Sequence, residues 1–500
     1  MALDVREIPH FIDGVAVPGA SGRFAEVFDP ARGTPQARVP LGGEAEVACA
    51  VAAAAAAQPA WASLNPQRRA RVLFEFKRLL ESRIEELAAL LSSEHGKLLA
   101  ESRGDIERGL DVIEFACGIP HLLKGEYSRG AGPGIDVYSL REPLGVVAGI
   151  TPFNFPAMIP MWMLGPAIAC GNAFVLKPSE KDPSVPVRLA QLMLEAGAPA
   201  GILNVVHGDR GAVSALVAHP LVAAVSFVGS SAAAQQVYAA ASALGKRVQA
   251  MGGAKNHGIV LPDADLDRAV HDIIGAAFGS AGERCMALPV IVAVGEPTAE
   301  TLRSKLIAAL GRLEPGAPDD PSAAYGPLVT AEHRERVLRY IELALQEGAE
   351  LVLDGRNASA GHACSGGGEG FTLGPTLLDH VTPAMRSYQE EIFGPVLQLV
   401  RARTFEEALA LASAHPYGNG ASIFTRSGRA AREFAARVSA GMVGINVPIP
   451  VPVAYHSFGG WKRSAFGDAN QHGMEGVRFF TRVKTVTARW PDDEVPSVAQ

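Results

Sequence analysis

Cysteine is scarce in this chain, aromatic residues make up only 6 % of it, and basic residues form no stripe along its 500 positions. Each scarcity excludes something. The five cysteines, Cys49, Cys117, Cys170, Cys285 and Cys364, are scattered and odd in number. They lack CxxC or Cys/His ligand spacing, which argues against a disulfide framework and against a zinc or other metal site, and fits a reducing compartment. A formal charge of −7, with acids and bases interspersed, gives no reason to expect nucleic acid as a partner. The stretch from Pro143 to Leu176 carries no charge and is long enough to cross a bilayer. Pro152, Pro156, Pro160 and Pro166, with Asn154 among them, would break a lipid-exposed helix, so the stretch reads as buried strand, loop and short helix, and no membrane partner is expected. The run Met1-Ala-Leu-Asp-Val-Arg-Glu contains no apolar signal core, which makes a cytoplasmic location the expectation.

What is present is a 48 % hydrophobic chain, long enough for two or three domains with large cores. The first third opens with helical patterns, an alanine-rich run from Glu44 to Trp61 and an amphipathic stretch from Pro66 to Glu94 stopped by Gly96. Short apolar runs then alternate with segments of helical length. Gly145–Ile150, Ala173–Leu176, Ile202–Val206 and Ala223–Val228 form one series. Gly258–Leu261, Val290–Val294, Leu351–Leu353, Ser422–Phe424 and Met442–Asn446 form a second. Such alternation predicts an α/β fold of two doubly wound units, with Asn357–Gly370 as a surface loop.

Ligands of such sheets bind beyond the carboxyl ends of the strands. Lys177-Pro-Ser-Glu180 follows one strand, where an ammonium and a carboxylate could grip ribose hydroxyls or simply form an exposed turn. Gly229-Ser230-Ser231 follows another and opens a helix, either a phosphate cradle or an ordinary cap. In Thr151-Pro-Phe-Asn154-Phe-Pro156 an asparagine is fixed between prolines, suited to donate to an oxyanion. Cys285 lies in Phe278-Gly-Ser-Ala-Gly-Glu-Arg-Cys285, small residues with a guanidinium beside the thiol. That setting favours a reactive thiolate over a structural thiol, although a buried thiol remains open on the local residues alone.

Phe153-Asn-Phe-Pro156, Lys177-Pro-Ser-Glu180, Phe227-Val-Gly-Ser230, the glycine-flanked Cys285, Glu390-Glu-Ile-Phe-Gly-Pro395 and Ser457-Phe-Gly-Gly460 occur in the order and spacing of the aldehyde dehydrogenase superfamily, which the chain resembles over nearly its whole length. Within it, Met251-Gly-Gly-Ala-Lys-Asn-His257, Gly282-Glu-Arg-Cys-Met-Ala287 and Val447-Pro-Ile-Pro-Val-Pro452 are similar to the CoA-acylating methylmalonate-semialdehyde dehydrogenases. The resemblance implies an NAD-binding domain over residues 1–122 and 144–252, a catalytic domain over 253–468, and oligomerisation strands and tail over 123–143 and 469–500, in a homotetramer. The bland alternative for the last element is an ordinary hairpin.

The same resemblance implies Cys285 as nucleophile and Asn154 as oxyanion donor. Lys177 and Glu180 would hold the adenosine ribose of NAD, and Glu391 the nicotinamide ribose. Phe393 would pack on the ring, with Thr151, Phe153, Lys181, Ser230 and Gly252 lining the site. Hydrolytic members carry a glutamate four residues before the lysine of the Gly-Gly-Lys run. Met251 stands there, so coenzyme A is the implied acyl acceptor. Arg108 and Arg284 are implied to bind the carboxylate of malonate semialdehyde or its 2-methyl homologue, with a loop salt bridge to Glu283 as the alternative for Arg284. Two further readings concern Ala234, standing where a second glycine is usual, whose methyl could narrow the pyrophosphate turn, and His257, taken as positional rather than as an acid or base.

Overall fold

The structure, a computed structural model, describes residues 6–356 and 370–490. Two large sheets dominate it. The first runs in the order Ala465–Phe466, Arg247–Met251, Val222–Val228, Val146–Ile150, Ala173–Lys177, Leu203–Val205, His10–Ile12 and Val15–Val17. Its central strands are parallel. The helices Glu44–Ser63, Met158–Ala169, Ser184–Glu195 and Ser231–Ala243 pack on it. The second sheet is ordered Glu350–Leu353, Thr376–Asp379, Val396–Ala402, Val290–Val294, His257–Val260, Gly420–Phe424 and Met442–Ile445, parallel except at the first pairing. Strands covered on both faces need apolar residues at every position, which is why Val146–Ile150 and Val290–Val294 read as unbroken apolar runs.

The uncharged stretch resolves as expected into the strand Val146–Ile150, a loop, the fully buried helix Met158–Ala169 and the strand Ala173–Lys177. No single helix among the described residues is long and apolar enough to cross a membrane. Three expectations need correction. The chain does not open with helices: five short strands between Arg6 and Pro40 precede the helix Glu44–Ser63. Three of them are two or three residues long, and the longer Phe24–Asp29 and Thr34–Pro40 mix polar with apolar residues without a clear period. The stretch Pro66–Glu94 is two helices, Pro66–Ser82 and Ile84–His95, broken where Arg83 leaves the helical region at φ −119°. The strands Arg247–Met251, Thr376–Asp379 and Val396–Ala402 carry buried polar groups, Gln249, Asp379 and Gln398, that interrupt the apolar signal.

A third, three-stranded sheet pairs Tyr127–Gly132 with Ile135–Pro143 and the latter with Thr481–Arg489, in register from Thr481 opposite Pro143 to Arg489 opposite Ile135. Tyr127, Leu140 and Val483 are exposed on it. The short strand Ala465–Phe466 joins the edge of the first sheet beside Met251. The predicted loop Asn357–Gly370 lies, apart from Gly370, outside the described residues, as do residues 491–500.

Candidate active site

Residues that leave the carboxyl ends of the first sheet's strands form one half of the site. Lys177 ends its strand, is buried, and places its Nζ 3.4 Å from Glu180 Oε2. Burial lowers the Lys177 ammonium, opposed by the charge of Glu180. Thr151, after the neighbouring strand, is bonded through its backbone N–H to the carbonyl of Lys177 at 3.1 Å, while its buried hydroxyl has no protein partner. A buried hydroxyl left without a partner fits a polar ligand. Ser230 caps the helix Ser231–Ala243, and its hydroxyl accepts from Ala233 N at 3.4 Å. Ala234 is fully buried in the first turn. Gly229 N donates to the carbonyl of Met251, which ends the adjacent strand and is itself buried. Gly252 N donates to Ser464 O, and Lys181 Nζ lies 4.4 Å above the ring of Phe153.

The turn carrying Cys285 belongs to the other half. The helix Leu266–Phe278 ends in a tight turn in which Ser280, Ala281 and Gly282 all take left-handed φ, +50°, +52° and +74°. Only glycine takes such φ without strain, and two strained non-glycine residues persist only where neighbours hold them. The holder is Glu101, in the first turn of the helix Leu99–Cys117. Its carboxylate accepts from Ser280 N at 2.6 Å and pairs with Arg284 Nη2 at 3.0 Å. Beyond the turn the carbonyl of Cys285 accepts from two side-chain amides, Asn256 Nδ2 at 3.1 Å and Asn419 Nδ2 at 3.2 Å. Cys285 is half-buried, and its thiol is pushed up to about 12 by burial and by the charge of Glu391. The guanidinium of Arg284, expected to favour the thiolate, is paired with Glu101.

The loop carrying Asn154 is clamped from below. Lys97 and Asp105 form a buried ion pair at 3.1 Å. Lys97 Nζ donates to the carbonyl of Asn154 and sits 3.9 Å from the Phe155 ring, and Asp105 accepts from Met158 N at 2.7 Å. One ion pair thus spans both ends of the loop, and Asn154 is buried.

Glu391, Phe393, Arg284 and Cys285 line one narrow cleft together with Lys255 and Asn256. Glu391 Oε1 accepts from Ala254 N at 2.8 Å, and a side chain at Gly253 would run into its carboxylate. Burial raises Glu391. Lys255 is buried with its Nζ on the carbonyls of Ser387 at 2.7 Å and Glu390 at 2.9 Å, and burial lowers it to about 7. His257 is bonded on both sides: Nδ1–H donates to Lys255 O at 2.7 Å, leaving Nε2 to accept from the Tyr388 hydroxyl at 2.7 Å. Burial lowers it to about 3, as suits a positional group.

Arg284 pairs with Glu101 rather than with Glu283, and Arg108 is 58 % exposed with Asp111 at 3.7 Å. A surface groove of about 450 Å³ opens beside Asp111, lined by Phe115, Val453 and Tyr455. Reasoning from sequence passed over Lys97, Glu101, Asp105, Asn256 and Asn419. The spacing of Glu101 and Asp105, four apart on one helix face, was the available signal for two of them.

The aldehyde dehydrogenase family model matches residues 17–486. A malonate-semialdehyde dehydrogenase of Pseudomonas aeruginosa is 53 % identical over 482 residues, 96 % of each chain. The mitochondrial acylating methylmalonate-semialdehyde dehydrogenase of Arabidopsis thaliana is 47 % identical over 97 % of this chain and 79 % of its own. Among solved structures, a Sinorhizobium meliloti protein in complex with NAD, provisionally described as a methylmalonate-semialdehyde dehydrogenase, superposes with a TM-score of 0.96 at 58 % identity, covering 98 % of this chain and 99 % of its own. A family match across almost the whole length, together with a relative more than half identical, makes the chain a member of the aldehyde dehydrogenase family.

Proposed function

We propose that the chain oxidises malonate semialdehyde or its 2-methyl homologue with NAD and transfers the decarboxylated acyl group to coenzyme A. The products are acetyl-CoA or propanoyl-CoA, carbon dioxide or bicarbonate, and NADH. The carrying observation is a pair of positions: a thiol at Cys285 beside a buried amide loop, and Met251 where a water-activating carboxylate would stand. A thioether takes no proton from water, so a thioester on Cys285 has no general base for hydrolysis at that place.

Cys285 gives up its S–H proton to solvent and adds through Sγ to the aldehyde carbon, and the Asn154 amide with the Cys285 backbone N–H takes the resulting oxyanion. Bound NAD supplies the acceptor for the hydride that leaves this carbon. Lys177 and Glu180 suit an adenosine ribose, Glu180 disfavours a 2′-phosphate, and the Thr151 hydroxyl offers an unmet bond. Glu391 suits the second ribose. Phe393 and Phe153, edge to face at 5.9 Å, wall the ring, with Lys181, Ser230 and Gly252 around them.

Once the carbon is oxidised, the acyl group is a thioester with a β-carboxylate. Loss of carbon dioxide leaves an enolate that the same oxyanion donors stabilise, and after its protonation the coenzyme A thiol displaces Cys285. Arg108 and Arg284 are the proposed grip on the substrate carboxylate. We further propose the NAD-binding unit over 1–122 and 144–252, the catalytic unit over 253–468, and self-association into a homotetramer through the exposed edges of the three-stranded sheet. NADH production from both semialdehydes, with and without CoA and with product identification, tests the reaction. CoA-dependent formation of an acyl-CoA is expected, whereas CoA-independent turnover to a free acid would overturn it in favour of a hydrolytic enzyme.

A further inference from the structure

Two residues before the nucleophile, Glu283 is completely buried, and no role in the reaction above uses it. Its Oε1 accepts from Val329 N at 3.3 Å and lies 3.4 Å from His333 Nε2, while Oε2 has no partner, with His95 Nε2 4.0 Å away. His333 lies in the first turn of the helix Ala331–Gln346, and its Nε2–H donates to the carbonyl of Phe393 at 2.7 Å. A carbonyl can only accept, so this bond fixes the tautomer. Phe393 is a non-glycine residue with φ +64°, a strained backbone that must be held. The His333 ring packs edge-on against Phe393 at 6.1 Å and Phe153 at 6.0 Å. One helical turn along the same helix, the guanidinium of Arg336 donates to Glu391 O at 2.8 Å. The nucleophile turn meets this loop directly, since a side chain at Gly282 would run into Gly394 O.

We propose that His333 and Glu283 are positioning residues that lock the loop Glu391–Gly394 onto the nucleophile turn, so that Cys285 and the nicotinamide wall move as one body. Burial supports the pairing as a neutral contact, with the Glu283 carboxyl raised to about 8 and the His333 imidazole lowered to about 4. The inference rests on the reading that Glu391 and Phe393 face the nicotinamide.

His333→Leu keeps the bulk and removes the donor, whereas His333→Gln keeps an N–H, and Glu283→Leu and Glu283→Gln form the matching pair. The measurements are NAD affinity by direct titration, the deuterium isotope effect on NADH formation from aldehyde deuterated at the reacting carbon, and the melting temperature. The leucine variants should weaken NAD binding about tenfold and raise the isotope effect as hydride transfer becomes limiting, and the glutamine variants should restore both. Folded leucine variants with unchanged affinity and isotope effect would overturn the proposal. Should they fail to fold, Arg336→Met, at the exposed rim of the same helix, must raise the isotope effect, and an unchanged value is equally fatal. A wild type that binds NAD but does not oxidise the semialdehydes would refute the substrate reading, while the affinity measurement still decides the lock.

Discussion

The two halves of the candidate site are built differently. On the side proposed for the adenosine, Lys177, Glu180 and Thr151 leave adjacent parallel strands, and their contacts lie within three residues or one strand pairing. On the side of Cys285, contacts from far along the chain join the turn's own local bonds: Glu101 on Ser280 and Arg284, and Asn256 and Asn419 on Cys285. Topology alone delivers the first half. The second depends on single side chains, so it should be the more sensitive to substitution.

The strongest test of that asymmetry is the nucleophile itself. Cys285→Ser should lower NADH formation by about four orders of magnitude or more while leaving NAD titration unchanged. Next comes the clamp beneath the oxyanion loop. Lys97→Met strands a buried Asp105 and should cost about 3–5 kcal/mol in denaturant unfolding, whereas replacing both partners by apolar residues should cost less. Asn154→Ala should reduce kcat by about 10²–10³ with little change in stability. On the adenosine side Glu180→Gln should do much less, raising the KM for NAD about tenfold and narrowing the preference over NADP in the same assay. An effect at Glu180 as large as that at Asn154 would erase the distinction between the halves.

A pH dependence of stability is expected as well. Glu283 is raised by burial to about 8 in the folded chain and returns to the ordinary carboxylate range on unfolding. The folded state therefore keeps a proton that the unfolded state releases, and the associated stability is complete in acid and lost as pH rises through 8. Glu283→Gln should flatten this slope: its melting temperature should gain on the wild type between pH 5 and pH 8.

Legibility from sequence follows the same division. Strand ends such as Lys177 could be read because an apolar run followed by polar residues marks its own end. The tight turn before Cys285 was visible from the small residues that its left-handed backbone favours. Its electrostatics was not visible, because adjacency in sequence says nothing about where a long side chain points, and Arg284 reaches across to a helix 183 residues away. Nothing in the sequence marks Lys97, Asp105, Glu283 and His333 as the buried residues that the fold makes them. The opening strands were hidden by their shortness, and the break at Arg83 by an apolar pattern that runs on through it.

The elevated thiol has a consequence for durability. Burial and the charge of Glu391 disfavour the Cys285 thiolate, the form that peroxides attack far faster than the thiol, so the same surroundings that frame the cleft also slow sulfenic acid formation in the protein without ligands.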